Sequence, residues 1–243
     1  MIELVGFDAD DTLWHSEGYF QDAHAEFERI VGTYVDLAEA GLHERLLATE
    51  QRNIMLFGYG AKGMTLSMIE TAIALTTARI SASDIHRLVE LGKSILTHPV
   101  ELIEGIRAAV EAAAARWPLV LITKGDLFHQ EAKVRQSGMA DLFQRIEIVS
   151  EKDAGTYARV LRECAVEGGR FAMVGNSLRS DIAPVLAAGG FGVHMPYRVT
   201  WRHELQAEVA TDHPRLATVT SALEIADALE ELARRSAAVA AAA

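Results

Sequence analysis

Six short apolar runs constrain this chain more than any other feature. They are IELVGF (2–7), LVLIT (119–123), IEIVS (146–150), FAMVG (171–175), FGVHM (191–195) and LATVT (216–220). Each is too short for a buried helix, and most are apolar throughout, as strands covered on both faces are. From the second run onward they alternate with helical patterns at 127–137, 153–167, 180–188 and 221–235. Glycine pairs at Gly168–Gly169 and Gly189–Gly190 end two of those helices. Alternation of this kind predicts an α/β fold: a parallel sheet with helices on both faces.

The first run stands apart from the others. Between Thr12 and residue 100 no strand signal occurs, and helical spacing covers 17–31, 35–57, 64–79 and 83–97. Ile69, Ile73 and Thr76 fall on one helical face, and Ile85, Leu88, Val89 and Leu91 on another. Ser83 or Asp84 suits the cap of the last helix. Gly58, Gly60 and Gly63 separate the second from the third, and Pro99 closes the set. The expected organisation is an α/β core of residues 1–14 and 100–235, a helical insertion of residues 15–99, and an alanine-rich tail, 236–243, without assigned function.

The charge excludes some partners. With 34 acidic against 23 basic residues the formal net charge is −11. Such a surface repels nucleic-acid phosphates and anionic lipid, so neither is expected as a partner. An anionic substrate would need positive charge supplied locally. Cys164 is the single cysteine, which excludes an internal disulfide and fits a buried small hydrophobe in a reducing compartment. The first residues, MIELVGFD, lack the basic leader of a signal peptide, and no apolar run is long enough to span a bilayer. The expectation is a soluble cytoplasmic protein, with its oligomeric state left open.

Polar residues gather where the runs end. After the first come Asp8, Asp10, Asp11 and Thr12; at the second, Thr123, Lys124, Gly125 and Asp126; past the third, Lys152; after the fourth, Gly175, Asn176, Ser177 and Asp181. Ligands of open parallel sheets bind beyond the carboxyl ends of the strands. Carboxylates, a hydroxyl and lysines on one sheet edge suit phosphoryl transfer through a carboxylate nucleophile. Magnesium would relieve the repulsion among the acids, since it prefers oxygen ligands and keeps several waters. A lysine offsets further charge, and a second carboxyl gives and takes the proton.

Together FDADDT, LVLITKG, SEK and VGNSLRSD resemble the four motifs of the haloacid dehalogenase superfamily. The resemblance covers residues 1–13 and about 119–195 of the core, and implies a Rossmann-like sheet with an all-helical cap inserted after the first strand. It implies that Asp8 is the nucleophile and Asp10 the general acid/base, whose backbone carbonyl also meets the metal. Thr123 would bond the transferring phosphoryl group, and Lys152 would pair with nucleophile and phosphate. Asn176 and Asp181 would complete the magnesium site, directly or through water. Two departures stand out: Asn176 where the family often has Asp, and Lys124 where it often has Asn. The first predicts weaker magnesium affinity. The second, with Gly125 beside it, puts a further cation and a backbone N–H near the substrate.

The function implied is a magnesium-dependent phosphatase acting through an aspartyl phosphate on a small phosphorylated metabolite. A sugar phosphomutase shares Asp8 and Asp10. A phosphonate-cleaving relative needs a cap lysine, and Lys62 keeps that reading open. A dehalogenase resembles this core but lacks the second aspartate, here Asp10. A phospho-receiver signalling module carries its phosphorylated Asp after the third strand and has no large insertion after the first, unlike this chain. GYGAKG (58–63) matches a dinucleotide fingerprint only in letters, because it follows a helical stretch; it reads as a cap loop, with Lys62 either reaching the substrate's non-reacting part or an ordinary solvated lysine. Gly92-Lys93-Ser94 lacks the upstream glycine of a phosphate loop, position 87 being Arg87. Asp11 reads as a local hydrogen-bonding residue, and Trp14, Tyr19 and Phe20 as core or hinge packing. His15 reads as structural or exposed, or as lining the cap entrance.

Overall fold

The computed structural model describes residues 1–198 and 209–242. Six strands form one parallel sheet: β1 (Leu4–Phe7), β2 (Leu119–Lys124), β3 (Arg145–Val149), β4 (Phe171–Gly175), β5 (Phe191–His194) and β6 (Leu216–Thr218). Their order is β3-β2-β1-β4-β5-β6. The chain winds outward from β1 to β3, then returns to place β4 on the other side of β1. The order therefore reverses at β1, and the crevice beyond its carboxyl end is where such sheets bind ligands. In register, Phe7 lies level with Leu121 of β2 and Val174 of β4.

Alternation along β1 sends its side chains to two cores. Val5 and Phe7 join α6 (Ile106–Ala114) and α10 (Ile225–Ala242), through Ile106, Val110, Leu229 and Leu232. Leu4 joins the opposite face, where α8 (Ala154–Glu163) packs Tyr157, Val160 and Leu161. Strand β3 departs from the expectation of strands covered on both faces: Arg145 and Glu147 alternate with apolar residues, and Ile146 is exposed. It is an edge strand, and ion pairs from Arg145 and Arg159 to Glu147 and Glu163 line it, the charged edge that discourages strand addition. Helix α6 lies in a stretch to which the sequence pattern assigned no element. Its buried residues, Ile106, Ala109, Val110 and Ala113, do fall at helical spacing, over nine residues only.

The remaining helices between β1 and α6 are α1 (Glu17–Val31), α2 (Leu37–Ala40), α3 (Leu42–Phe57), α4 (Ala61–Leu75) and α5 (Ala82–Leu96). Gly41, at φ 56°, splits the expected 35–57 helix into α2 and α3. Helix α4 ends at Leu75 because Thr77 and Ala78 turn left-handed, at φ 51° and 60°. Its buried stripe is Met64, Met68, Ala72 and Leu75, while Ile73 is exposed. The expected face of Ile69, Ile73 and Thr76 is thus displaced by part of a turn. Ser81, ahead of the expected Ser83 or Asp84, caps α5 by accepting from the backbone N–H of Asp84 at 3.0 Å. Gly92 lets α5 approach α4, since a Cβ there would overlap the Thr65 hydroxyl. It serves helix packing, in keeping with the rejection of Gly92-Lys93-Ser94 as a phosphate loop.

Two compact units result. One comprises Met1–Glu17, Val100–Lys124 and residues 130 onward; the other comprises Gly18–Pro99 with Gly125–His129. Phe27, Leu46, Met68, Leu88 and Ile95 form the core of the second unit. Among the described residues no helix is long and apolar enough to cross a membrane.

Candidate active site

Asp8 is the first residue past β1. Its backbone N–H donates to the Val174 carbonyl at 2.9 Å, which carries it level with the end of β4. The carboxylate is buried. Lys152 comes from the turn between β3 and α8, whose start is capped by Asp153 accepting from Thr156 N–H at 2.8 Å. The Lys152 ammonium donates to Asp8 Oδ1 and, at 2.7 Å, to Asp181 Oδ1. Lys152 is 4% exposed and Asp181 1%. Three parts of the chain far apart in sequence therefore share one buried ion-pair cluster.

The chain after β4 is built for Asp181. Residues Leu178–Ile182 form a single π-helical turn that runs into α9 (Ala183–Ala187). Wide turns of this kind re-aim side chains at functional sites. Asp181 Oδ2 accepts from Ser177 N–H at 3.0 Å, and the carboxylate folds back over Gly175, where any Cβ would overlap it. Position 175 thus requires glycine for close approach. Thr12 completes the cluster by donating to Asp8 Oδ2 at 3.0 Å, and its hydroxyl lies 3.5 Å from Asn176 Oδ1.

Asp10 sits in different company. Its Oδ1 accepts from Trp14 Nε1 and from Lys133 Nζ, each at 2.6 Å, and its Oδ2 from Gln130 Nε2 at 2.8 Å. Gln130 and Lys133 lie on α7 (Leu127–Ser137), the helix after β2. Asp11 adopts φ 62° and accepts from the backbone N–H groups of Ser16 and Glu17 at 2.8 and 3.1 Å, so it anchors the start of α1. That matches its reading as a local hydrogen-bonding residue.

The other candidates are placed as follows. Thr123 is buried at the end of β2, and Lys124 donates to Ser180 Oγ at 3.1 Å, with Glu151 at 3.4 Å. Gly125, at φ 144°, turns the chain from β2 toward α7. Lys62 pairs with both Asp126 oxygens, at 2.9 and 2.8 Å, and lies 5.3 Å from the Phe128 ring centre. All three residues belong to the helical unit. Residues 58–60 of GYGAKG link α3 to α4, and Ala61, Lys62 and Gly63 open α4 itself, so Lys62 stands on a helix and not on the expected cap loop; the stretch follows a helix, as its rejection as a fingerprint requires. His15 Nδ1 meets the Tyr197 hydroxyl at 2.6 Å.

Burial dominates the electrostatics. It is the largest influence on Asp8; the Lys152 charge opposes it, Asp181 reinforces it, and the net result raises the carboxyl from 3.8 to about 7. Lys152 is penalised by burial, yet Asp181 and Asp8 hold its ammonium above the ordinary lysine value. Burial would also raise Asp10, but Lys133, with the Gln130 and Trp14 donors, holds it below the usual carboxylate range. Asp11 is raised to about 7 by burial and then by Asp10.

Among the described residues no three His, Cys, Asp or Glu side chains converge as a ready metal cluster. At the ends of β1 and β4 lie two carboxylates, Asp8 and Asp181, which share Lys152, and the Asn176 amide oxygen, 3.5 Å from the Thr12 hydroxyl. All are hard oxygen donors, and few in number. Such a set fits a cation that keeps most of its water, as magnesium does, and the raised Asp8 carboxyl is the form a nearby cation would ionise.

The sequence places Thr12 among the polar residues at the end of β1 without giving it a role, and leaves Gln130 and Lys133 unread. A signal for the α7 pair exists: the buried stripe of that helix is His129, Gln130, Lys133 and Ser137, with Val134 as its apolar member. A helix that buries polar groups against a sheet end has a reason other than packing.

The fold is thus a doubly wound α/β sheet whose acidic residues gather at its switch point. The family of haloacid dehalogenase-like hydrolases matches residues 2–189, and the chain belongs to that family. A haloacid dehalogenase-like family hydrolase from Xanthomonas campestris is similar over 97% of this chain and 94% of its own, with 55% identity and a TM-score of 0.87. A 2-haloacid dehalogenase from Pseudomonas syringae pv. Tomato shares 21% identity over 95% of this chain and 99% of its own, with a TM-score of 0.61. The HAD-hydrolase YfnB from Bacillus subtilis, solved bound to magnesium, shares 18% identity over 94% and 98%, with a TM-score of 0.59. At those identities the last two share the fold. Among curated proteins no match was found.

Proposed function

We propose that this hydrolase is a magnesium-dependent phosphomonoester hydrolase working through an aspartyl phosphate on Asp8. The observation that carries the reading is the second carboxylate, Asp10, two residues beyond the buried Asp8–Lys152 pair and held by three donors. A halide leaving group needs no proton, whereas an ester oxygen does.

Asp8 attacks phosphorus, and the ester P–O bond breaks. Its electron pair goes to the leaving oxygen, which takes a proton from Asp10; because Lys133 and its neighbours keep Asp10 ionised in the free protein, the phosphomonoester brings that proton as its monoanion and passes it to Asp10 first. Water then attacks phosphorus and gives its proton back to Asp10. The bond from phosphorus to Asp8 breaks, and inorganic phosphate departs. Lys152 offsets the charge on Asp8 and on the transferring group, and the Thr123 hydroxyl bonds the phosphoryl oxygens. Magnesium, when bound, would neutralise charge on nucleophile and phosphate; Asp8, the Asp10 carbonyl, Asn176 and Asp181 would hold it. Lys124 and the Gly125 N–H would contact phosphate or substrate.

The helical unit serves as the cap that selects a small phosphorylated substrate, with Lys62 meeting its non-reacting part. The pairing of Lys62 with Asp126 speaks against an imine-forming lysine, because that chemistry needs a neutral amine.

The test is phosphate release from a panel of nucleotides, sugar phosphates and small organic phosphates with magnesium present. Turnover that EDTA abolishes and magnesium restores supports the reading. Turnover indifferent to EDTA removes the metal from it. No release from any ester, with halide release from a haloacid instead, replaces it.

A further inference from the structure

Gln130 and Lys133 are 3% and 8% exposed, so both polar groups have been taken out of water. Burying a lysine is costly without a partner, and an apolar residue usually serves packing better. Gln130 adds a second cost. Its Nε2 donates to Asp10 Oδ2 at 2.8 Å and to the Lys124 carbonyl at 3.0 Å. Both neighbours are acceptors, so the amide cannot turn over. Its Oε1 is left buried with no donor. An orphaned acceptor of this kind is destabilising.

The two residues are one turn apart on α7, so they reach Asp10 from one side. Trp14 reaches it from the chain just past β1. Oδ1 takes two donors, Lys133 and Trp14, and Oδ2 takes one. A carboxylate oxygen has two acceptor sites. Oδ1 is therefore filled, and Oδ2 has room for a proton.

We infer that Lys133 is a positioning residue for Asp10, acting with Gln130 and Trp14 to fix the carboxylate so that Oδ2 is the oxygen that exchanges the proton. This rests on the phosphatase reading of Asp8 and Asp10. Lys133 itself touches neither substrate nor phosphorus in this scheme.

The full-length protein with magnesium is assayed on p-nitrophenyl phosphate, a good leaving group, and on glycerol 2-phosphate, a poor one. K133M is expected to lose about 10²-fold in kcat, the scale of a misplaced catalytic group, with KM within roughly threefold of wild type. The loss is larger on glycerol 2-phosphate, whose alkoxide needs the proton more. K133R recovers most of the rate, and D10N/K133M is no slower than D10N, because the two act as one unit. A kcat for K133M near that of wild type, a change in KM alone, or a double variant much slower than D10N would each overturn the inference. If K133M shows no cooperative melting, Q130L replaces it, with a drop of about tenfold expected and an unchanged kcat overturning the assignment. If the wild type turns over neither ester, the phosphatase reading fails and takes this inference with it; if the wild type is active and K133M matches it, only the positioning role fails.

Discussion

Both compact units bury polar side chains, yet they do so in different ways. In the helical unit Asn53 donates to Ser67 at 3.0 Å and to Glu70 at 2.9 Å, and His24 meets Glu50 at 2.9 Å. These partners come from adjacent helices, α1, α3 and α4, and pair with one another, leaving the buried Thr71 hydroxyl of α4 without a partner. At the strand ends, Asp8 and Asp181 share one ammonium, that of Lys152. Burial is what lifts Asp8 to about 7; the Lys152 charge opposes it and the Asp181 charge reinforces it. A seam paired in the first way fixes how helices pack. An open surplus of charge holds a place for something cationic and something reactive.

Substitutions can break that contrast. Asp8→Asn should abolish phosphate release, by about 10³-fold or more, with an unchanged circular dichroism spectrum. It should also raise the melting temperature of the metal-free protein above neutral pH, because it removes a buried charge beside Asp181. Near wild-type turnover would remove Asp8 from the nucleophile role. Lys152→Met leaves the two carboxylates facing one another and should cost about 3–5 kcal/mol in urea unfolding, more than any single change in the helical seam. A loss under that of the seam variants would show that the cluster is less charged than described.

Asn176→Asp adds a charge to the proposed ion site. Magnesium titration by calorimetry should show binding about tenfold tighter, as added ligand charge does elsewhere. Unchanged affinity would place Asn176 outside the ion's ligands. Asn53→Ala opens the helical seam. It should cost about 1–3 kcal/mol in stability and leave kcat within roughly threefold. A large loss of kcat would give the seam a role in chemistry.

A further prediction concerns pH. In the folded chain Asp11 is held up to about 7 against an ordinary 3.8. Between those values the native state keeps a proton that the unfolded chain has released. The stability from Asp11 is thus complete below about pH 4, falls as pH rises, and is gone above about pH 7. His194, lowered by burial, acts in the opposite sense below its ordinary 6.5. Comparing Asp11→Asn with wild type cancels it. The variant should show a shallower fall in melting temperature from pH 5 to pH 7; parallel curves would mean that Asp11 titrates normally.

Much of the fold was legible in the residues, for a definite reason. Strands covered on both faces must be apolar along their whole length, so LVLIT and FAMVG announce themselves. Edge strand β3, with Arg145 and Glu147 in it, announces itself less, and short α6 announces itself only through Ile106, Val110 and the alanines spaced with them. Helix α4 was visible, but its facing was not. Ile73 is as hydrophobic as Met68, and only contact with neighbouring helices decides which is buried.

By itself, the sequence determined the alternation of strands and helices, the long helical interruption after β1, and the polar residues that follow each strand. Those properties are local: a side chain beside its neighbours along the chain settles them. Only the tertiary structure decided that Lys152 bridges Asp8 and Asp181, that a π-turn over Gly175 aims the latter, and that Lys133 and Gln130 hold Asp10. Such contacts join residues more than a hundred positions apart in several cases, and which of many charged side chains becomes a partner depends on strand order and on the burial that only folding creates.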